Sequence, residues 1–403
     1  MHSERELMLK SLRCIESIYV VVAILCLLSE ASSATPRFSL MTGTRCSACH
    51  FNPQGSGLRT ELGWSAMNET GLFKWRNSAN DTLAPTNGLF NGIFVPGLDA
   101  RLQLVRVSKT GQRLLIPMQL STSLAFVPSK QFVAYTNINL ASIEERIRGG
   151  SLYPGEADFD AQIQYQPDIS LPSIRLGMIE PSIGIRQDDH TVFVRREAAL
   201  KDVYLFPAYY NDLGAEITYE GLKYLTINAG IFNAHNLSLV DPTIGTITSN
   251  FDFKKPTVSG RVMLWPQLLE QQINGEAGAS IMVNGAFQMI NIFFGFGLSD
   301  KATIAVEALH ATNAADRIVR NFTVMGSLRL ADWLAADWRY DWGQTEMFPG
   351  KALGYATAFT FGFEFFLLPY IELRPEYRLM QTNPFYGQTV SSGQYTGQIH
   401  VFY

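Results

Sequence analysis

The feature that most constrains this chain is a two-residue hydrophobic period running from residue 98 to the last residue. The stretch Asp158-Phe159-Asp160-Ala161-Gln162-Ile163-Gln164-Tyr165-Gln166 alternates without a miss. In 213–220, Leu213, Ala215, Ile217 and Tyr219 take one face and Gly214, Glu216, Thr218 and Glu220 the other; in 336–342, Trp338, Tyr340 and Trp342 oppose Asp337, Arg339 and Asp341. In 371–379, Glu372, Arg374, Glu376 and Arg378 lie opposite Ile371, Leu373, Tyr377 and Leu379. Successive strand side chains point to opposite faces, so these are strands with one apolar and one polar side. Repeated segments of about ten residues built this way are what a transmembrane β-barrel requires. Closure is then compulsory, because an open edge in lipid leaves backbone groups without partners.

Composition narrows the alternatives. Hydrophobic residues make up 47 % of the 403, which excludes disorder, while charged residues are only 17 %, below the roughly 25 % usual in soluble domains. Beyond residue 30 there is no run of about 18 uncharged apolar residues, so a helical membrane bundle is disfavoured. A net charge of −4 speaks against a nucleic-acid partner.

Sixteen segments follow the period: 98–107, 113–126, 131–140, 158–166, 173–180, 213–220, 223–232, 256–265, 275–283, 287–298, 301–311, 321–331, 333–342, 353–365, 370–379 and 393–403. Their connections alternate between a set averaging about 14 residues and a set averaging about 4, the asymmetry of long outer loops and short periplasmic turns. That register puts both chain ends in the periplasm. Two strands contain prolines, Pro117 and Pro375, which an unbroken ladder tolerates poorly, and 181–212 has room for a further hairpin. Tyr395, Ile399, Val401 and Tyr403 share one face of the last strand, and this resembles the C-terminal signal of bacterial outer-membrane barrels. A soluble β-sandwich has the same period; the aromatic excess and the charge-free outward faces stand against it.

The N-terminus has another character. Arg5, Lys10 and Arg13 precede an apolar run over 18–28 and the small residues Ala31-Ser32-Ser33-Ala34, the layout of a secretory signal cleaved near Ala34. Glu4, Glu6 and Glu16 dilute the basic region and favour the competing reading of an uncleaved anchor helix. Residues 1–34 are thus assigned as signal peptide, 35–89 as a second unit and 90–403 as the barrel.

That second unit carries the chemistry. Cys46-Ser47-Ala48-Cys49-His50 is the C-x-x-C-H arrangement of covalent c-type haem attachment. Two thiols at that spacing reach the two vinyl groups of one porphyrin, and the next imidazole ligates the iron. Zinc would need two further ligands, yet no other cysteine follows residue 34 and the remaining histidines, His190, His235, His310 and His400, are scattered. A redox dithiol is the other competing reading. Met67, in a stretch with helical character, and Met41 are candidates for the distal ligand, and packing against the ring explains either methionine as well. Arg45 and Arg59 flank the motif as candidate propionate partners or ordinary surface arginines. The roughly 40 residues between His50 and the first strands are too few to bury a core alone, so this segment should pack against or into the barrel.

In the longest outer loop, Asp188, Asp189 and His190 could bind a cation such as ferrous iron, or simply be solvated. The inward charges Asp99, Arg101, Asp158, Asp160, Glu216, Arg329, Asp337, Arg339, Glu372, Arg374, Glu376 and Arg378 mix both signs, which implies cross-barrel pairing and a narrow or plugged lumen.

The haem motif, Thr42-Gly43 before it, Gly55-Ser56-Gly57-Leu58-Arg59-Thr60-Glu61-Leu62-Gly63 after it, and Pro181-Ser182-Ile183-Gly184-Ile185-Arg186 leading to Asp188-Asp189-His190 carry a resemblance. The chain resembles outer-membrane fusions of a monohaem c-type cytochrome to a porin-like barrel, a family that includes proposed outer-membrane iron oxidases. The resemblance implies an all-β closed antiparallel transmembrane barrel preceded by a short, partly helical haem segment, with one covalent haem c held at or inside it. It also implies electron relay between an extracellular donor and a periplasmic carrier, the partner being a c-type cytochrome. The rival expectation is a passive porin whose haem segment serves as plug or redox sensor.

Overall fold

The computed structural model describes residues 37–53, 55, 58–60, 62–63, 88–108, 110–140, 159–168, 170–185, 192–195, 205, 210–233, 255–269, 272–312, 317–347, 352–368, 371–384 and 388–402. All sixteen expected segments are strands: β1 Phe94–Val107, β2 Arg113–Ser129, β3 Phe132–Asn139, β4 Phe159–Tyr165, β5 Ser173–Ile179, β6 Asp212–Leu222, β7 Leu225–Phe232, β8 Thr257–Leu264, β9 Ile273–Asn284, β10 Phe287–Leu298, β11 Ala302–Thr312, β12 Arg317–Ala331, β13 Leu334–Met347, β14 Ala352–Leu368, β15 Ile371–Asn383 and β16 Val390–Phe402. Each pairs antiparallel with its neighbour in sequence. The last pairs with the first, from Asp99↔Phe402 to Val107↔Gln394, so the sheet closes. Past Trp265-Pro266 the short piece Gln267–Leu268 continues β8, pairing with Ile273 and Asn274.

The period-two pattern places the chain inside out relative to a soluble protein. On β6, Leu213 and Ile217 are about half exposed, 58 % and 48 %, whereas Asp212, Glu216 and Thr218 are buried at 3 % or less. On β10, Ile290, Ile292, Phe294 and Phe296 face out while Asn291 is buried. An apolar outer wall and polar interior suit strands surrounded by hydrocarbon. No helix among the described residues is long and apolar enough to cross a membrane.

The two prolines sit where the ladder is already interrupted. Pro117 pairs with Leu102 beside a register shift between Arg101 and Leu102. Pro375 faces Gly397 of β16, and toward β14 the pairing skips from Gly362↔Glu376 to Phe365↔Leu373. A residue without an N–H is accommodated at such breaks. Residues 181–211 contribute no hairpin among the described residues; their regular element is a 3₁₀ turn, Phe193–Arg195.

The long connections, 140–158, 180–211 and 233–256, share one end of the barrel, and the short turns at 130–131, 223–224, 332–333 and 369–370 share the other. Both the start of β1 and the end of β16 lie at the short-turn end. Two pieces enter the lumen. From the short-turn end comes the N-terminal segment, with α1 Arg37–Thr42 against β9, β10 and β11 and then α2 Cys46–Cys49. From the long-loop end come residues 180–185 and 192–195. There Ile183, Val192 and Val194 pack with Met282, Met289 and Leu309, Gly184 N–H donates to Ser280 Oγ at 2.9 Å, and Asn321 Nδ2 donates to Val194 O at 3.1 Å.

Candidate functional site

The local structure of the cysteine motif follows from its spacing. Cys46–Cys49 forms one helical turn, closed by the His50 N–H donating to Cys46 O at 3.0 Å, and the chain leaves extended at His50. It then folds back: Phe51 N–H donates to Leu58 O at 3.1 Å, Thr60 N–H to Cys49 O at 3.0 Å, and His50 bridges Arg59. Gly55 allows this return, since it holds a φ of +94° with its α-carbon close to the Cys46 side chain, a conformation that costs glycine little.

The barrel grips the motif through side chains at its short-turn end. Arg45 donates from Nη1 to Glu220 O at 2.7 Å and from Nη2 to Leu222 O at 2.6 Å and Lys223 O at 3.1 Å. Ser47 Oγ donates to the Glu220 carboxylate at 2.9 Å. Upstream, Asn274 Nδ2 donates to Met41 O at 3.1 Å and Gln267 Nε2 to Gly43 O at 2.8 Å. Cys46 itself packs against the buried cluster formed by Leu40, Ile185, Met263, Trp265, Phe293 and Ala305. Thus the expected packing of the motif into the barrel is what the fold displays.

Both cysteines are free thiols. Burial pushes the Cys46 thiol up to about 12, with Glu276 adding to the effect and Arg261 opposing it. Burial raises Cys49 too, against the Arg59 guanidinium. Arg59 stands 4.6 Å from the Phe402 ring centroid, and its own burial lowers it to about 10 while Asp99, Cys49 and Glu372 favour its charge. Arg45 is engaged with main-chain carbonyls, and Arg59 with Phe402 and these neighbouring charges. Met41 is buried in α1; Met67 lies outside the described residues, as do Asp188, Asp189 and His190. The residues bordering that last trio, Ile185 and Val192, are both buried in the lumen.

Among the described residues no three of His, Cys, Asp or Glu converge as an ion site would need. A porphyrin keeps such groups apart, thiols at the ring edge and imidazole beneath the centre, and a single helical turn flanked by an extended histidine offers them in that order. Cys46 and Cys49 would hold the group and His50 would ligate its iron.

The lumen charges do pair, but the pairs lie along one strand or between neighbouring strands, not across the barrel as the mixed signs implied. Arg175 Nη2 meets Glu216 Oε1 at 2.6 Å, and Glu216 also accepts from Ser182 N and Oγ. Arg339 pairs with Asp341 at 2.8 Å and Arg374 with Glu376 at 2.7 Å, and His400 bridges Asp99 and Glu372 at 3.1 Å each. Sequence reasoning overlooked Arg175, Glu180, Arg195, Arg261, Glu276 and Glu307, all buried. Five lie in marked segments; for Arg175, Arg261, Glu276 and Glu307 residue parity already carried the signal, whereas Glu180 shares the parity of the outward Ile174 and Leu176.

No family model and no curated relative matches the sequence. Solved structures do. The outer-membrane channel DcaP of Acinetobacter baumannii superposes with a TM-score of 0.54 at 10 % identity, covering 77 % of this chain and 97 % of that one. For OprB of Pseudomonas putida the TM-score is 0.52 at 8 % identity, covering 78 % and 95 %. An anion-selective porin from Comamonas acidovorans gives 0.51 at 11 %, covering 77 % and 99 %. The fold is that of the outer-membrane porins. At this identity the likeness concerns the fold alone.

Proposed function

We propose that this protein is a haem-bearing outer-membrane electron relay, taking electrons from an extracellular donor, ferrous iron being one candidate, to a periplasmic carrier such as a c-type cytochrome. The observation that carries the reading is the position of Cys46-Ser47-Ala48-Cys49-His50 inside a closed barrel, fastened by Arg45 and Ser47 to the 223–224 turn. A haem attached there would supply one-electron chemistry, its potential tuned by the axial ligand and burial. The barrel's own residues would keep it within a wall whose apolar belt is about 25 Å tall, with the motif toward the periplasm if the short turns lie there. The described residues of 37–63, with 180–185 and 192–195, lie within the lumen, which favours electron over solute passage.

A second reading is favoured by the fold itself: a passive porin with a haem-bearing plug or redox sensor. The two separate in liposomes. The relay requires a c-type spectrum reducible by a membrane-impermeant donor from the outer side; reduction only from the inner side defeats it. If Cys49→Ala loses haem while the barrel stays intact and solute flux is unchanged, the plug reading fails.

A further inference from the structure

Beside Cys46 the lumen holds a set of charges that its own pairing does not balance. Glu276 on β9 is 4 % exposed and its Oε1 is buried without a hydrogen-bond partner among the described residues. It shares its surroundings with Leu40 of α1: a β-carbon built on Gly295 would meet Leu40 Cδ1 at 2.8 Å and Glu276 Oε1 at 3.2 Å. Leu40 and Cys46 belong to one cluster. Across the site Arg261 on β8 stands 5.2 Å from the Phe293 ring centroid and donates to Met263 Sδ at 3.2 Å. Further in, Glu307 on β11 is fully buried and accepts from Asn291 Nδ2 at 2.8 Å. The adjoining pairs, Arg175 with Glu216 and Arg195 with Glu180, match one cation to one carboxylate. Arg195 also faces Glu307, so that Arg195 and Arg261 stand against Glu180, Glu276 and Glu307, a surplus of one carboxylate among the described residues.

A buried carboxylate without a cation is costly, and a positively charged group placed against it offsets that cost and holds it in the charged form. A porphyrin dianion around ferric iron has a net core charge of +1, around ferrous iron zero. We propose that Glu276 is the charge-compensating residue of the haem site: it favours the ferric state of a haem held by Cys46 and thereby lowers the potential, with Arg261 opposing it. This rests on the haem reading above and extends it to the residue that sets the working potential.

The test is potentiometric titration of the purified holoprotein in lipid vesicles, followed at the haem absorbance, for the unmutated chain, Glu276→Gln and Glu276→Asp. Glu276→Gln keeps the shape and removes the charge. It is expected to move the ferric–ferrous equilibrium about tenfold toward ferrous, a rise in midpoint of about 59 mV. Glu276→Asp keeps the charge one methylene further away and should fall between the two. A Glu276→Gln midpoint equal to or below that of the unmutated protein overturns the assignment. Should the glutamine variant fail to insert, an unchanged midpoint in Glu276→Asp overturns it equally. Absence of a c-type spectrum in the unmutated protein overturns the haem reading itself, an outcome visible before any variant is titrated.

Discussion

The Arg45 guanidinium donates to the main-chain carbonyl of Glu220 at 2.7 Å, joining the residue before Cys46 to the turn between β6 and β7. The same side chain reaches Leu222 O and Lys223 O, so one residue fixes the entry of the cysteine motif to the rim. Hydrogen bonds from charged groups contribute about 1.5–3 kcal/mol when buried, and these are partly exposed. Arg45→Ala should leave the barrel folded but open 37–63 to protease at the short-turn end, several-fold faster than in the parent, with Arg45→Lys intermediate. Limited proteolysis with mass-spectrometric mapping reads this directly.

Gly297 on β10 faces α1 so closely that a β-carbon there would collide with Leu40 O. That atom is main chain and cannot rotate away. Gly297→Val should therefore displace α1 from the wall, raising solute flux in a liposome-swelling assay while strand content stays constant. Unchanged flux would show that the lumen remains sealed without α1 in place.

Glu216 joins Arg175 at 2.6 Å and also takes both Ser182 N–H and Ser182 Oγ, linking the wall to the inward segment. Removing one partner of a buried pair costs about 3–5 kcal/mol, much of it from the charge left behind. Glu216→Ala should lower the denaturant midpoint sharply, and Arg175→Met combined with Glu216→Ala should recover part of the loss. A double-mutant cycle without coupling would contradict the linkage.

For the haem-free folded chain, a Cys46 thiol raised from 9.0 to about 12 has about a thousandfold less thiolate near neutral pH than an ordinary cysteine, and thiolate is the reactive form. Maleimide labelling of Cys46 should be negligible at pH 7.5, rise tenfold per pH unit up to about 12, and become fast on denaturation. Rapid labelling in the folded state would mean that Cys46 lies outside the cluster of Leu40, Met263 and Trp265.

Ile292, near the middle of β10, points outward at 60 % exposure. A basic residue on the lipid face at mid-depth costs about 2–4 kcal/mol. Ile292→Arg is expected to reduce folding into vesicles by that amount while leaving detergent-solubilised secondary structure intact, and equal folding efficiencies would argue against a lipid-facing wall.

How much of this was legible beforehand depended on whether a property was local. Segment 287–298 is β10 residue for residue, and the other fifteen agree within a few positions at their ends, because alternation is a property of neighbouring side chains. Pro117 and Pro375 looked like obstacles only because bulges and skipped pairings depend on the partner strand. The cysteine motif was readable from spacing, since one turn of backbone decides how far apart two thiols can reach. Arg45 was not readable in its role: its partners lie some 175 residues downstream, and nothing near residue 45 records them.

The sequence by itself therefore determined the strands, the outward and inward faces, the alternation of long and short connections, and the C-x-x-C-H spacing, all governed by separations of a few residues. Only the tertiary structure decided that this motif lies inside the lumen, that residues 180–185 and 192–195 enter from the opposite end, and that Glu276 and Arg261 flank Cys46. Those relations follow from closing β16 onto β1. Closure confines every inward side chain to one shared space, where packing and charge balance choose neighbours without regard to distance along the chain.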